Sequence, residues 1–150
     1  MLHIFVDADA CPVKQEVFRV AARLDTEVTL VANCGMRLPA DPRFRLQVVR
    51  DGYEAADDWI VEQVQARDIV VTSDILLADR CLDKGALVIA PNGKRFTEDN
   101  IGQAVAIRNL MAEIRDAGER TGGPPPLTKR DRSRFLHQLD EIIQRVRRQG

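Results

Sequence analysis

Short apolar runs alternate with amphipathic stretches through most of this 150-residue sequence. Runs rich in Val, Ile and Leu are typical of buried strands, whereas apolar residues spaced i, i+3, i+4 and i+7 are typical of helices. The runs predict five strands, at about 2–6, 28–32, 46–49, 69–72 and 86–90. Because helical spacing fills most of the intervals, we predict an α/β fold with a mostly parallel five-stranded sheet between helices.

Three helices are predicted within this alternation. The first covers about 13–24, and Pro12 stands where a first helical turn accepts proline. The second covers about 54–66. The third is short and runs to about Lys84, where Gly85 ends it.

Two more helices are predicted after the last strand. Thr97 is a good N-cap for a long helix. A Gly/Pro-rich linker at 119–127 then leads to a last helix at 128–148, where Thr128 and Asp131 resemble a capping box. The apolar sets are Ile107, Leu110, Met111 and Ile114 in the long helix, and Phe135, Leu136, Leu139, Ile143 and Val146 in the last one.

Composition narrows the class of protein. Charged residues make up 30% and hydrophobic residues 45%, as in ordinary globular domains. No stretch reaches the roughly 20 apolar residues of a transmembrane helix, and no signal peptide is recognisable. Three widely spaced cysteines without a CxxC pair indicate reduced thiols. We expect a single-domain cytoplasmic protein without membrane association, and without a nucleotide cofactor because Walker A and GxGxxG motifs are missing.

Positive charge is concentrated near the C-terminus. Residues 1–118 carry 14 Lys/Arg and 19 Asp/Glu, whereas residues 119–150 carry 8 and 4. A basic segment beside a Gly/Pro linker is a modest indication of RNA binding, although such charges are usually a solvated face. The candidate substrate-binding residues are Lys14, Lys94, Arg95, Lys129, Arg130, Arg132 and Arg134.

Acidic residues gather where the predicted strands end. Asp7 and Asp9 follow the first strand, Asp74 follows the fourth, and Asp79 lies in the next helix. Sites in open parallel sheets lie beyond the carboxyl ends of the strands. Because converging carboxylates repel each other, we expect Mg²⁺ or Mn²⁺ among them, positioning a water for attack on a phosphate ester. The structural alternative is that each aspartate only caps a helix.

Helical phase separates Asp57 from Asp58. At about 100° per residue, Asp57 falls on the apolar arc with Val61 and Val64, whereas Asp58 falls on the polar face. An inward carboxylate is costly unless something pairs with it, so we predict that Asp57 belongs to the site. The candidate metal ligands are Asp7, Asp9, Asp57, Asp74 and Asp79, and all except Asp9 are also catalytic candidates.

Segments across nearly the whole chain resemble the bacterial YaiI/YqxD family of uncharacterised proteins. They are VDADACPVK (6–14), AADDWI (55–60), VTSDILLA (71–78), PNGKRFTEDNI (91–101) and TGGPPPLTKRDRSRFLHQLD (121–140). That family is grouped by similarity with PIN-like domains, in which acidic residues at strand ends bind Mg²⁺ or Mn²⁺ and cut RNA. The resemblance implies one PIN-like domain and a metal-dependent ribonuclease. It implies that the acidic positions are Asp7, Asp57, Asp74 and Asp79.

Two other functions stay open. A haloacid-dehalogenase-like phosphatase also has a DxD motif after its first strand, but Cys11 stands where that family usually has Thr or Val. The second is a non-catalytic module that binds RNA or protein and keeps a vestigial acidic site.

Overall fold

The computed structural model describes residues 2–50, 52, 54–118 and 126–149. Its strands are β1 (His3–Asp7), β2 (Glu27–Ala32), β3 (Phe44–Val48), β4 (Ile69–Val71), β5 (Leu87–Ile89) and β6 (Arg95–Phe96). They form one sheet in the order β3-β2-β1-β4-β5-β6, in which every neighbouring pair is parallel except β5 and β6. The predicted α/β class and mostly parallel sheet are therefore confirmed.

The helices are α1 (Lys14–Arg23), α2 (Ala55–Gln63), α3 (Ile75–Asp83), α4 (Glu98–Asp116) and α5 (Lys129–Gln149). None of the helices in the described part of the chain is long and apolar enough to cross a membrane. Helix α2 ends before the predicted 66 because Val64 adopts an extended conformation, with φ −68° and ψ 141°. Most of the predicted linker, 119–125, lies outside the described residues.

The predicted number of strands was wrong by one. Strand β6 pairs antiparallel with β5, with Arg95 opposite Ile89 and Phe96 opposite Val88. Gly93, at φ +89°, forms the turn between them. A two-residue strand has no periodicity to detect, so the place of Arg95 in the sheet could not be predicted from spacing.

Alternation along β1 divides the sheet into two faces. Ile4 and Val6 project into one buried cluster, which α1 and α5 cover. Phe5 projects into a second cluster, which α2 and α3 cover together with the first turn of α4. Asp7 follows the same alternation as Phe5, so its side chain belongs to the α2–α3 face.

Helix α5 seals the first face. The Thr128–Asp131 capping box is present, with Thr128 N donating to Asp131 Oδ2 at 3.0 Å and Asp131 N donating to Thr128 Oγ1 at 3.1 Å. Phe135 and Leu139 are fully buried. Of the other predicted core residues, Ile143 and Val146 are buried and Leu136 packs against the cluster, whereas buried Ile142 was not predicted.

Helix α4 forms where it was predicted, but the apolar residues that predicted it are not buried in the core. Its capping box joins Thr97 and Asn100, and Ile101 is its buried residue among those described. Ile107, Leu110 and Met111 are 50%, 55% and 41% exposed. The i, i+3, i+4, i+7 spacing therefore identified the helix without identifying a buried face.

Candidate functional site

An acidic pocket opens at the carboxyl ends of β1 and β4. The strand order reverses between these two strands, and such a reversal leaves a crevice in which open α/β sheets bind ligands. The pocket has a volume of about 450 Å³. Its lining residues are Asp7, Asp9, Asn33, Glu54, Ala56, Asp57, Asp74, Leu76, Leu77, Arg80 and Arg108.

The hydroxyl of Thr72 joins two of the acids. Thr72 is 2% exposed, and its Oγ1 donates a hydrogen bond to Asp7 Oδ2 at 2.9 Å. The same Oγ1 accepts a hydrogen bond from Asp74 N at 3.0 Å. This arrangement fixes the orientation of the Asp7 carboxylate relative to the start of α3. Burial nevertheless raises the pKa of Asp7, against the opposing effect of the Thr72 hydrogen bond, and the charges of Asp74 and Asp9 raise it further.

Asp74 has two roles. It is the N-cap of α3, and its Oδ1 accepts hydrogen bonds from Leu76 N at 2.9 Å and Leu77 N at 3.2 Å. Its carboxylate also lines the pocket and contacts the side chain of Asp57. The capping alternative considered from the sequence is thus true of Asp74, but capping occupies only one of its two oxygens.

Asp57 experiences the strongest electrostatic perturbation in the pocket. Burial raises its pKa to about 7, and the negative charges of Asp74 and Asp7 and a hydrogen bond with Asp74 add to the effect of burial. At pH 7, Asp57 is therefore still partly protonated, whereas an isolated aspartate would be ionised. Three of the predicted site residues, Asp7, Asp57 and Asp74, converge here.

Asp58 is not among the residues that line the pocket. It is exposed and pairs with Arg80, with Arg80 Nη2 and Asp58 Oδ1 2.9 Å apart. Asp79 lies in the middle of α3 and is not among the residues that line the pocket. The structure therefore does not bring Asp79 together with the other acids.

Asp9 lines the pocket but is tied to the backbone. Both of its carboxylate oxygens accept a hydrogen bond from Asn33 N, at 3.1 and 2.9 Å. This contact joins the 3₁₀ turn Ala8–Ala10 to the end of β2. The structural alternative for Asp9 was a cap on a helix; its observed partner is a backbone amide outside any helix.

Two arginines in the pocket were not predicted. Arg80 comes from α3 and Arg108 from α4. Their positively charged groups could contact a substrate phosphate beside the acids. Nothing in the sequence singles out Arg108, because its place depends on how α4 crosses α3. Thr72, in contrast, follows the apolar run 69–71 and lies two residues before Asp74. That position could have predicted its place in the site.

The acids present oxygen ligands, but not a ready cage for a metal. Among the described residues, no group of three or more His, Cys, Asp or Glu side chains is spaced to hold a metal ion. Mg²⁺ commonly takes only one or two carboxylates and fills its other positions with water and substrate phosphate. The contact between Asp57 and Asp74 fits that smaller requirement.

The turn between β5 and β6, which carries one of the predicted basic residues, lies against α5. A Cβ on Gly93 would lie 2.7 Å from Arg134 Cγ and 2.9 Å from Phe135 N, so the turn that carries Lys94 packs against the first turns of α5. Lys129 and Arg130 are exposed in that part of α5, and Lys14, at the start of α1, is partly exposed.

Two other members of the basic group have partners within the chain. Arg132 Nη1 donates to Pro12 O at 2.7 Å and pairs with Glu16 Oε2 at 3.3 Å. Arg134 Nη1 lies 3.8 Å from Asp131 Oδ1. Arg132 therefore fastens α5 to α1, in addition to any contact with a ligand.

Together the fold and the pocket define an open α/β protein with an acid-lined crevice at the reversal of strand order. The chain belongs to the YaiI/YqxD family: residues 5–145 match the model of that family, described as uncharacterized BCR. The resemblance found in the sequence motifs is thus confirmed. No solved structure matches the chain.

Its relatives cover nearly the whole chain. A UPF0178 protein of Rhodospirillum centenum is 55% identical over 152 residues, which cover 99% of each chain. One from Sphingopyxis alaskensis is 56% identical over 146 residues, or 97% of this chain and 95% of that protein. A third, from Bradyrhizobium diazoefficiens, is 54% identical over 145 residues, or 97% and 87%. These names state no activity.

Proposed function

We propose that the protein is a Mg²⁺- or Mn²⁺-dependent, PIN-like ribonuclease that hydrolyses RNA phosphodiesters at the acidic pocket. The observation that carries the proposal is the convergence of Asp7, Asp57 and Asp74, with the pKa of Asp57 raised to about 7. Strong perturbation of a carboxyl group by burial and by neighbouring charges, in a crevice, is a feature of functional sites.

Asp57 and Asp74 are the residues proposed to hold the ion. When bound, Mg²⁺ or Mn²⁺ would supply an activated water and stabilise charge on the leaving oxygen. Asp57 would lose its proton on binding, because metal ligands must be deprotonated. Asp7, oriented by Thr72, would accept hydrogen bonds from the attacking water.

The cations around the pocket are proposed to bind the RNA backbone. Arg80 and Arg108 lie beside the acids and would contact the phosphate under attack. Lys94, Lys129 and Arg130 would contact neighbouring phosphates of the same strand. These contacts offset the repulsion between an acidic pocket and a polyanion.

Cleavage of a short unstructured RNA in Mn²⁺ tests the proposal, with Asp57→Asn and Asp58→Asn as matched variants. We expect metal-dependent cleavage that Asp57→Asn reduces roughly 100-fold or more, and that Asp58→Asn retains. Equal cleavage by the wild type and Asp57→Asn would assign the activity to another site or to a contaminant. RNA binding without cleavage would favour the non-catalytic module.

A calorimetric Mn²⁺ titration tests the metal separately. Binding should be lost in Asp57→Asn and kept in Asp58→Asn, and affinity should rise as the pH is raised through about 7, where Asp57 loses its proton. Bound metal should also stabilise the fold, by about 2.7 kcal/mol at 100 times the dissociation constant. Thermal melts unchanged by millimolar Mn²⁺ would remove the metal from the mechanism.

The phosphatase alternative receives no support from Asp9. That chemistry needs the second aspartate of the DxD motif as a free acid or base, whereas both oxygens of Asp9 accept a hydrogen bond from Asn33 N. Failure of fluoride-aluminate to trap an aspartyl-phosphate analogue at Asp7 is the expected result.

A further inference from the structure

A second pocket, of about 470 Å³, lies between α2 and the edge strand β3. Its volume falls within the range of small-molecule sites. The side chains that define this Trp59 groove are His3, Thr29, Arg45, Gln47, Trp59 and Gln63. None of them belongs to the acidic pocket.

The groove exists because no helix in the described part of the chain covers the outer part of β3 on this face. Along β3, Phe44 and Leu46 pack into the cluster beneath α1 and α5, so Arg45 and Gln47 project to the other side. Helix α2 packs over β1 and β2. The connection at 33–43 contains no helix and contributes its apolar residues to the α1–α5 cluster. A strip of sheet is therefore left open.

Aromatic rings form one side of the groove. The rings of Phe5 and Trp59 pack edge to face, with centroids 6.2 Å apart. The ring of His3 lies 4.6 Å from that of Phe5, and its Nε2 is held by Thr29 Oγ1 at 2.7 Å. These contacts fix the aromatic side before any ligand arrives, which limits the entropy lost on binding.

Polar side chains without partners form the other side. Among the described residues, the side chains of Arg45, Gln47 and Gln63 make no hydrogen bond or ion pair to one another or to the rest of the chain. Each glutamine amide offers donors and an acceptor, and Arg45 adds a positive charge. A fixed aromatic ring beside free amides is the chemistry that recognises the face and edge of an unpaired nucleobase.

We propose that the Trp59 groove binds a nucleobase, stacked on Trp59 and hydrogen-bonded along its edge by Gln47 and Gln63, with Arg45 beside the attached phosphate. The base belongs either to a free nucleotide or to a single RNA strand. His3, Phe5 and Asp7 alternate along one face of β1, so His3 is about 13 Å from the acidic end of the strand. The inference goes beyond the proposed ribonuclease, since base binding requires neither metal nor hydrolysis.

Trp59 is the only tryptophan in the chain, so its fluorescence reports on this groove. We would titrate each ribonucleoside 5′-monophosphate into the metal-free protein, with ribose 5-phosphate as the ligand that lacks a base. Saturable quenching by at least one nucleotide, and none by ribose 5-phosphate, is the expected result. A short oligonucleotide that binds at least tenfold more tightly than every mononucleotide would identify an RNA strand as the source of the base, whereas comparable affinities would indicate a free nucleotide.

Gln47→Leu and Arg45→Gln would remove the proposed contacts to the edge of the base and to the phosphate. Both positions are exposed or half-exposed. Each should weaken nucleotide binding roughly fivefold or more, as expected when a hydrogen bond or a charged interaction is removed. Gln103→Leu and Arg37→Gln make the same changes at exposed positions on α4 and in the 33–43 connection. Both controls should bind as the wild type does, and so should Asp74→Asn, because Asn is also a good N-cap.

Three results would overturn the inference. The first is no saturable quenching by any mononucleotide or by the oligonucleotide. The second is equal binding of ribose 5-phosphate, which would mean that phosphate alone is recognised. The third is binding abolished in Asp74→Asn but kept in Gln47→Leu, which would move the nucleotide to the acidic pocket. None of these depends on whether the acids cleave RNA.

Discussion

The two faces of the sheet use their charged residues in different ways. On the α1–α5 face, arginines fasten one element to another: Arg23 pairs with Asp140, Arg132 with Glu16, and Arg147 donates to the backbone after α1. On the α2–α3 face, burial raises the pKa of Asp57 to about 7, and the charges of Asp74 and Asp7 add to that effect. In the Trp59 groove, the side chains of Arg45, Gln47 and Gln63 have no partner among the described residues. Helix α4 exposes an apolar stripe. The crowded acids and the unpaired groove side chains therefore lie on the face opposite α5.

This separation has a physical reason. Converging carboxylates and open polar grooves lower the stability of the folded state, and such strain persists only where the surrounding structure is well determined. The α1–α5 face holds the surrounding structure in place, because Phe135, Leu139 and Ile143 are fully buried there. Substitutions that act on one face and not on the other test the comparison directly.

The largest expected effect is on the sealed face. Phe135→Ala should lower the free energy of unfolding by about 3–5 kcal/mol, because Phe135 is fully buried. Leu110→Ala, at a position 55% exposed on α4, should change it by no more than about 0.5 kcal/mol. Urea denaturation of both variants measures the difference. Similar losses in the two variants would mean that α4 is covered in solution and that the contrast between the faces is false.

A smaller effect is expected where the β5–β6 turn meets α5. Gly93→Ala should destabilise the protein by about 1–3 kcal/mol, because φ is +89° and a Cβ would approach Phe135 N to 2.9 Å. Gly102→Ala, within α4 and with nothing within 4 Å of its Cβ position, should instead stabilise by about 0.4–1 kcal/mol. Thermal melts of the pair give opposite signs if α5 packs on the turn as described.

The contribution of Asp57 to the free energy of unfolding should fall as the pH rises, opposite to the contribution of an aspartate whose pKa is lowered on folding. Because the pKa of Asp57 is about 7 in the folded protein and near 3.8 when unperturbed, the folded state binds its proton more tightly. The corresponding stability is fully present below about pH 3.8 and disappears as the pH rises to about 7. Asp57→Asn should therefore be more stable than the wild type above pH 7, while Asp58→Asn should keep the wild-type pH dependence. Urea denaturation of all three proteins at several pH values measures the difference. The same pH dependence of the free energy of unfolding in all three would contradict a raised pKa at Asp57.

The smallest expected effect concerns the basic residues at the carboxyl edge. Replacing Lys94, Lys129 and Arg130 with Gln should flatten the salt dependence of RNA binding, by a log–log slope of roughly 0.7 for each phosphate that the variant no longer neutralises. Arg132 is left in place because it fastens α5 to α1. A control that replaces Arg19, Arg67 and Arg148, which are exposed elsewhere, removes the same charge and should keep more of the slope. Equal slopes in both variants would mean that these basic residues act only through the net charge of the protein and not through specific phosphate contacts.

Much of the fold could be predicted from periodicity. Five of the six strands and all five helices were located within a few residues, because buried strands and long helices impose strong periods. Strand β6 was missed because two residues have no period. The exposure of Leu110 and Met111 could not be foreseen, because helical spacing reports on a helix and not on what packs against it.

The candidate site was only partly accessible to sequence reasoning. Asp7 and Asp74 follow from the rule for strand ends, and Asp57 follows from helical phase, so all three were placed on one edge. The place of Asp79 outside the pocket and the use of Asp9 to bind Asn33 N depend on side-chain contacts that no spacing rule contains. The Trp59 groove was missed for a related reason: it results from a part of β3 that none of the described helices covers.

The docking of α5 also sets the order in which the chain can complete its fold during synthesis. Arg132 contacts Pro12 and Glu16, and Arg147 contacts Thr26 Oγ1, across 116–121 positions of sequence. Domains begin to form as the chain leaves the ribosome, from the N-terminus onward. Until α5 emerges, the cluster beneath α1 lacks Phe135, Leu139 and Ile143, so the nascent chain presents an apolar surface. Docking of α5 is therefore the step that ends the exposure of this surface to chaperones and to other unfinished chains.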